Sequence, residues 1–376
     1  MPDHATTKKS SGTRGSIAYA SQGALTWMRF KKHRLALISL IALIGLYFIC
    51  GFCGFFSTHD PNSRNTKAIN APPQSIHFID ADGGFHLRPF VYNYSMTINI
   101  ETWAREYSSD TSKIYPVHFF ADGPEYRLWG LFKAKKHFLQ VAEGGYYHIL
   151  GTDRLGRDLF TRVLYGGRIS LSIGLLGVAL TFFLGILLGG LAGYIGGWTD
   201  NVIQRIIEII QSIPKLPLWM ALSAALPPSW SSLKIYFGIT VILSFIGWTG
   251  MARVVRGKFL ALRTEEYVVA ARLIGASRVR IIFKHMLPSF MSHIITSATL
   301  AIPGMILGET ALSFLGIGLR SPIVSWGVLL SEAQNYLVLS LTPWLLIPGI
   351  FIIITVIAFN LLGDGLRDAA DPYASI

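Results

Sequence analysis

Charge is what this sequence has least of. Only 14% of its 376 residues are Asp, Glu, Lys or Arg, against about a quarter in a typical soluble domain, while 51% are hydrophobic. A chain so poor in charge cannot cover an ordinary water-facing surface, which excludes a simple soluble globule. Cysteine is scarce too: Cys50 and Cys53 are the only two, which excludes a disulfide framework. Their C-x-x-C spacing would suit redox or metal chemistry, but both fall inside an apolar run, where cysteine serves as a small buried hydrophobe. No G-x-x-x-x-G-K-[ST] stretch occurs, and "RGKFL" at Arg256 to Leu260 lacks both the leading glycine and the closing Ser/Thr. The chain therefore has no phosphate-binding loop of its own. Nor does any apolar run hold a convincing set of acidic residues at its middle, which an ion-coupled carrier needs for its coupling ion.

What is present is a series of apolar runs, each near the roughly 20 residues a helix needs to cross a bilayer. The first, Leu35 to Phe56, has 22 residues without a charge and follows "RFKKHR" at Arg29 to Arg34. It lacks the short core and small-residue cleavage site of a signal peptide, so it reads as a retained transmembrane helix. Five further spans are expected near 170 to 195, 203 to 226, 233 to 251, 289 to 312 and 339 to 362. The 203 to 226 run is interrupted by Arg205, Glu208, Pro214, Lys215 and Pro217. Arg205 and Glu208 suit an i, i+3 pair, and the prolines a bend.

The net charge of +12 points to nucleic acid or to membrane topology. Lys and Arg crowd beside apolar runs with no aromatic-rich basic domain, which favours topology and no nucleic-acid partner. The first 34 residues hold seven Lys/Arg against one Asp, and 252 to 288 hold eight against two Glu. Basic flanks mark the cytoplasmic side, and an even number of spans separates these two. Both termini are thus expected inside. The expected organisation is a cytoplasmic tail, 1–34; a first transmembrane helix, 35–56; an extracytoplasmic segment with linker, 57–167; and a five-helix core, 168–376, with a cytoplasmic loop at 252–288. The fold class is an all-α membrane protein of six spans carrying a small β-rich domain between the first two. Within that domain Asp82-Gly83-Gly84 and Asp122-Gly123-Pro124 read as hairpin turns between residues of strand character.

Gly185, Gly189, Gly193 and Gly197 recur every four residues. In lipid, where apolar surfaces gain little by meeting, such a stripe lets helix backbones approach closely. Glu309 and His293 lie in or near a span, where ionisable groups are functional candidates. Glu309 is expected near the outer end in a structural role, and His293 is unassigned. Asp153, Arg154, Arg157 and Asp158 can pair among themselves, and without a nucleophile nearby they read as a clasp rather than a hydrolase site.

One stretch is unlike its apolar neighbours: "EYVVAARLIGASRVRIIFKHMLP", Glu266 to Pro288, with four Arg/Lys and a central glycine. Thr264 is placed to cap a short helix beginning at Glu265 and Glu266, which Gly275 would end. Ser277 is placed to cap a second, in which Val279, Ile282, Phe283 and Met286 fall at helical spacing. Such a unit can lie in the headgroups, close the bundle, or fit a groove on a cytoplasmic partner. Spacing alone leaves these open.

The same stretch resembles the coupling segment of binding-protein-dependent ABC importer permeases, whose pattern is Glu-Ala-Ala, three residues, Gly, nine residues, Ile-x-Leu-Pro. Ala270, Ala271, Gly275, Leu287 and Pro288 match in register, whereas Val269 and His285 replace the pattern's Glu and Ile. Three more stretches resemble the dipeptide/oligopeptide (and nickel) branch: "LGTDRLGRDLFTRVLYGGRISL" at Leu150 to Leu171, "ALSFLGIGLRSPIVSWGVLL" at Ala311 to Leu330, and "NLLGDGLRDAADP" at Asn360 to Pro372. The resemblance implies a multi-pass permease subunit of the bacterial inner membrane, without an ATPase site or a bound cofactor, carrying peptides, nickel chelates or sugars. It implies as partners a second homologous permease, two ATPase subunits that use ATP and Mg, and an extracytoplasmic solute-binding protein. Ala270 and Ala271 would then allow close approach of the ATPase, Gly275 would set the angle between the two short helices, and Val279 to Met286 would supply apolar contact. The 57 to 150 segment matches no motif of the branch and reads as a docking aid for the binding protein or as a stabilising insertion.

Overall fold

The computed structural model describes residues 22–100, 105–335 and 340–371. The chain is mostly helical, with one four-stranded antiparallel sheet. Among the described residues, five helical segments are long and apolar enough to cross a bilayer: Arg34–Gly51, Leu159–Ile195, Ser232–Leu262, Arg278–Phe314 and Pro343–Ala370. The 203 to 226 segment is not among them. It divides into α5 (Gly197–Ser212) and α6 (Lys215–Ala224), because Ile213 is extended (ψ 133°) ahead of Pro214, as a residue preceding proline prefers.

Residues 1–21 of the expected tail lie outside the described residues. Its end forms helix α1 (Gln22–Phe30), whose Phe30 is buried in the main core and stacks on Trp27 at 5.6 Å. Helix α2 (Arg34–Gly51) and the short α3 (Cys53–Phe56) follow. Cys50 and Cys53 are both buried free thiols.

The sheet is a meander of β1 (His77–Ile79), β2 (Phe85–Ile98), β3 (Arg105–Leu128) and β4 (Phe132–Val141). Gly83, at φ +86°, forms the β1–β2 turn. Asp122-Gly123-Pro124 is not a turn: it lies within β3 at a register irregularity against β4. The β3–β4 turn falls instead at Trp129 and Gly130, both left-handed at φ +52° and +78°, which suits the right-handed twist of a tight hairpin. The Trp129 ring meets Phe52 at 5.4 Å, and its Nε1 donates to the Gly51 carbonyl at 3.0 Å. The hairpin tip therefore rests on the end of α2.

The bundle core begins at Leu159, ahead of the expected 168, because Asp158 accepts the Thr161 N–H at 2.7 Å and caps α4 (Leu159–Ile195). Its 37 residues carry the chain about 55 Å from the sheet end to the opposite end. Helix α7 (Ser232–Leu262) pairs with α4 more extensively than any other two elements pair. A Cβ on Gly185, Gly189 or Gly193 would come within 2.4 to 2.7 Å of Met251, Ala252 or Arg256 and Phe259. Gly197 is not part of this contact: it starts α5 at φ +60° in open space, because α4 has ended. Helix α5 returns along the pair, with Ile203 and Ile207 against Ala192, Trp248 and Ala252, and Arg205 pairs with Glu208 at its surface, 2.9 Å apart.

Candidate functional site

Helix α7 extends to Leu262, so the first part of the expected 252–288 loop is helical. Then α8 (Glu266–Leu273) begins at N-cap Glu265, not Thr264, whose hydroxyl donates instead to the Ala261 carbonyl at 2.9 Å. Gly275, at φ +81°, follows the last helical turn. Its N–H donates to Arg272 O and that of Ala276 to Ala271 O, both at 3.0 Å, so the turn closes on the carbonyls the helix leaves open. A Cβ at Gly275 would meet nothing within 4 Å; the constraint there is the left-handed backbone alone.

Ser277 caps the next helix by accepting the Arg280 N–H at 3.3 Å. After α9 (Arg278–Arg280) the chain widens into a π turn, Ile281–Met286, and tightens into a 3-10 turn, Leu287–Phe290, before α10 (Met291–Phe314). The widened turn alters the expected apolar edge. Ile281 and Met286, five residues apart, both face inward and are fully buried, as i, i+5 winding requires. Val279 (66%) and Phe283 (59%) face outward and are joined by Leu273 (81%) and Ile274 (84%). Ala271 is buried, Ala270 and Pro288 are exposed, and Ile282 and Leu287 are intermediate. Four apolar side chains thus rim the glycine turn. Sequence reasoning does not single out Leu273 and Ile274, whose outward position follows from the end of α8 just before Gly275.

Two cavities open near this end. One, of about 620 Å³, is lined by Lys258, His293, Arg367 and Asp368 among others; this is where His293 sits. The second, of about 360 Å³, lies between α4, α6, α7 and α10, against Thr181, Lys215, Trp219, Gly250, Ser297 and Gly304. Thr181 Oγ1 and Trp219 Nε1 are buried polar atoms without a hydrogen-bond partner among the described residues.

At the sheet end, α11 (Trp326–Ser331) meets the start of α4 through an ion network that only part of the expected clasp enters. Asp153 takes Arg157 Nε at 2.6 Å and also pairs with Arg162. Glu332 Oε1 takes Arg157 Nη2 at 2.9 Å and Arg162 Nη1 at 3.3 Å. Arg154 is exposed, and Asp158 turns away to His148 and Thr161. Burial and the neighbouring Asp153 charge hold the Glu332 carboxyl above its ordinary value, against the lowering pull of Arg162 and Arg157. Glu309 is fully buried in a hydroxyl cradle, accepting from Ser313 at 2.7 Å and Ser170 at 3.1 Å. Ser170 also accepts the Trp326 N–H at 3.2 Å, so Glu309 links α10, α4 and α11.

A family model described as the binding-protein-dependent transport system inner membrane component matches residues 185–375, just over half the chain. This chain belongs to that family of permeases. A second model, the N-terminal TM domain of oligopeptide transport permease C, matches residues 21–73 of the permease. The sheet lies between the two matched stretches. The permease is 44% identical over 226 residues to the dipeptide transport system permease protein DppC of Bacillus subtilis, spanning 60% of this chain and 68% of that protein. It is 42% identical over 227 residues to the oligopeptide transport system permease protein OppC of Haemophilus influenzae, spanning 60% and 70%. An inward-facing structure of the MetNI methionine ABC transporter is similar over 56% of this chain and 96% of that chain, at 18% identity and a TM-score of 0.43.

Proposed function

We propose that this permease is one of two membrane subunits of an ABC importer of dipeptides or oligopeptides. It crosses the inner membrane six times, the α5–α6 pair supplying the passage that no single long helix makes. Its two basic regions then lie on the cytoplasmic side together with both termini, and the sheet lies outside. A second permease faces the 360 Å³ cavity between α4, α6, α7 and α10, and alternating access of the shared path is driven by ATP and Mg in two partner ATPases. Cargo arrives from an extracytoplasmic solute-binding protein. The chain binds no cofactor of its own.

The observation that carries this reading is the exposed apolar rim of Leu273, Ile274, Val279 and Phe283 around Gly275, at the end of the bundle away from the sheet. Apolar side chains presented by two short helices suit a groove on a protein partner. The cargo class rests on the relatives' names, dipeptide and oligopeptide transport permeases. The test is co-expression with the candidate ATPases and second permease. Leu273→Glu with Phe283→Glu is expected to leave the chain folded in the membrane, abolish its co-purification with the ATPases, and remove ATP hydrolysis stimulated by the loaded binding protein. Normal assembly and stimulation in that double variant would sink the assignment.

A further inference from the structure

The β3–β4 hairpin carries apolar side chains that its own packing does not use. Trp129 is accounted for, since its ring lies 5.4 Å from Phe52 and its Nε1 donates to the Gly51 carbonyl. Leu131 and Phe132 are not: at the tip of the hairpin they are 75% and 63% exposed. Further along the hairpin Phe119 and Phe120 are exposed as well. Phe120 meets Phe55 of α3 at 6.1 Å and Phe138 of β4 at 5.5 Å.

The depth of the tip follows from α2. Its 18 residues rise about 27 Å, close to the roughly 30 Å of a hydrocarbon core, and Arg29, Lys31, Lys32 and Arg34 stand at its start. Gly51, at the other end, therefore lies at the far boundary between acyl chains and headgroups. A ring hydrogen-bonded to the Gly51 carbonyl shares that depth. Trp129 also stands on an outward side of α2. Ile38, Ile41, Ile44 and Phe48 form an exposed stripe at helical spacing, and Phe48 meets Phe52, the ring against which Trp129 rests, at 4.9 Å. The apolar surface thus runs ring to ring from the membrane-spanning helix to the hairpin.

We propose that the β3–β4 hairpin is a membrane anchor: Trp129, Leu131 and Phe132 insert among the headgroups and upper acyl chains beside α2 and hold the sheet against the bilayer. Tryptophan is favoured at that depth because its body is apolar and its N–H polar. The charges fit the same partner. Glu125 to Lys136 carries four Lys/Arg against one Glu, and that Glu lies 3.5 Å from Lys133. Arg127, Lys135 and Lys136 are exposed around the apolar tip, placed to meet anionic headgroups. Exposed apolar side chains within a basic collar suit a segment that lies in a lipid interface. The inference needs only that α2 crosses the bilayer and is independent of the cargo and of the partner subunits.

The test uses the full-length chain with Cys50→Ala and Cys53→Ala, given one new cysteine, Leu131→Cys or Phe132→Cys, and spin-labelled there. It is placed in nanodiscs of phosphatidylethanolamine and phosphatidylglycerol. Power-saturation EPR then compares collisions with oxygen, which concentrates in acyl chains, and with a water-soluble nickel chelate. Both labels are expected to favour oxygen, matching an Ile44→Cys label on α2. A Thr97→Cys label should favour nickel, because Thr97 pairs with Glu106 at the end of β3 away from the tip. Tip labels that favour nickel overturn the anchor. Labels shielded from both reagents also overturn it, since protein rather than lipid then covers the tip. Leu131 and Phe132 are both exposed, so neither substitution empties a packed site, and either label decides the question alone.

Discussion

A single methyl group tests the close approach of α4 and α7. On Gly189 it would lie 2.4 Å from the Ala252 carbonyl oxygen and 2.8 Å from Ala252 Cα, whereas carbon atoms rest about 3.5–4.0 Å apart. Both obstacles are backbone atoms, so relief requires the helices to part by about 1 Å. A gap of that size forfeits a quarter to a half of each dispersion contact it opens, and overpacking of this kind costs about 1–3 kcal/mol. Replacing glycine by alanine within a helix returns about 1 kcal/mol, which confuses a comparison with the wild type alone. Gly190 removes that ambiguity. Its added Cβ meets Phe259 Cε1 at 3.5 Å, an ordinary contact, and it gains the same propensity in the same turn. The difference between Gly189→Ala and Gly190→Ala therefore isolates the clash, at about 1–3 kcal/mol. Thermal unfolding of the two variants in detergent, followed by loss of monodisperse protein, should place Gly189→Ala below Gly190→Ala. Equal midpoints, or the reverse order, would refute the packing of α4 on α7 described here.

Other perturbations separate structural from docking residues. Met286→Ala empties a fully buried position and should cost about 2–5 kcal/mol, while the exposed Phe283→Ala should change stability by no more than about 0.5 kcal/mol; melting curves of the isolated chain distinguish them. Arg162→Met leaves Asp153 and Glu332 short of a buried counter-charge and should cost about 3–5 kcal/mol, again read by melting. The pH dependence of Glu332 has a definite sign. Its carboxyl is raised in the folded chain by burial and by Asp153, so the folded state holds the proton more tightly. The stability this adds is complete below the ordinary value of 4.5 and is lost as pH rises through the folded value. The melting point of the wild type should therefore fall relative to that of Glu332→Gln as pH rises above 4.5; a wild-type melting point that rises relative to the variant's contradicts the assignment.

The stretch from Glu266 to Pro288 shows where sequence legibility stopped. Gly275 was readable because a left-handed residue after a short helix is a local requirement. So was Ser277, whose cap needs only a hydroxyl three residues before the N–H it accepts. The apolar edge was not readable, since the expected Val279, Ile282, Phe283 and Met286 assume uniform α winding. The turn at Ile281–Met286 is a π turn, and it moves Ile281 into the core while leaving Val279 and Phe283 outside. In the sheet, Asp122-Gly123-Pro124 looked like a turn because composition cannot distinguish a chain reversal from an irregularity within a strand.

The sequence by itself determined the membrane character, the long apolar helices, the glycines that admit α7 and the family, because each depends on composition, local periodicity or a motif in register. Tertiary structure alone decided the partners of the buried charges: Asp153 and Glu332 with Arg162, Asp158 with His148, Glu309 with Ser170 and Ser313. Asp153 and Glu332 are far apart in the chain and meet on the same two arginines only after α4 and α11 have packed. No local pattern encodes such a meeting.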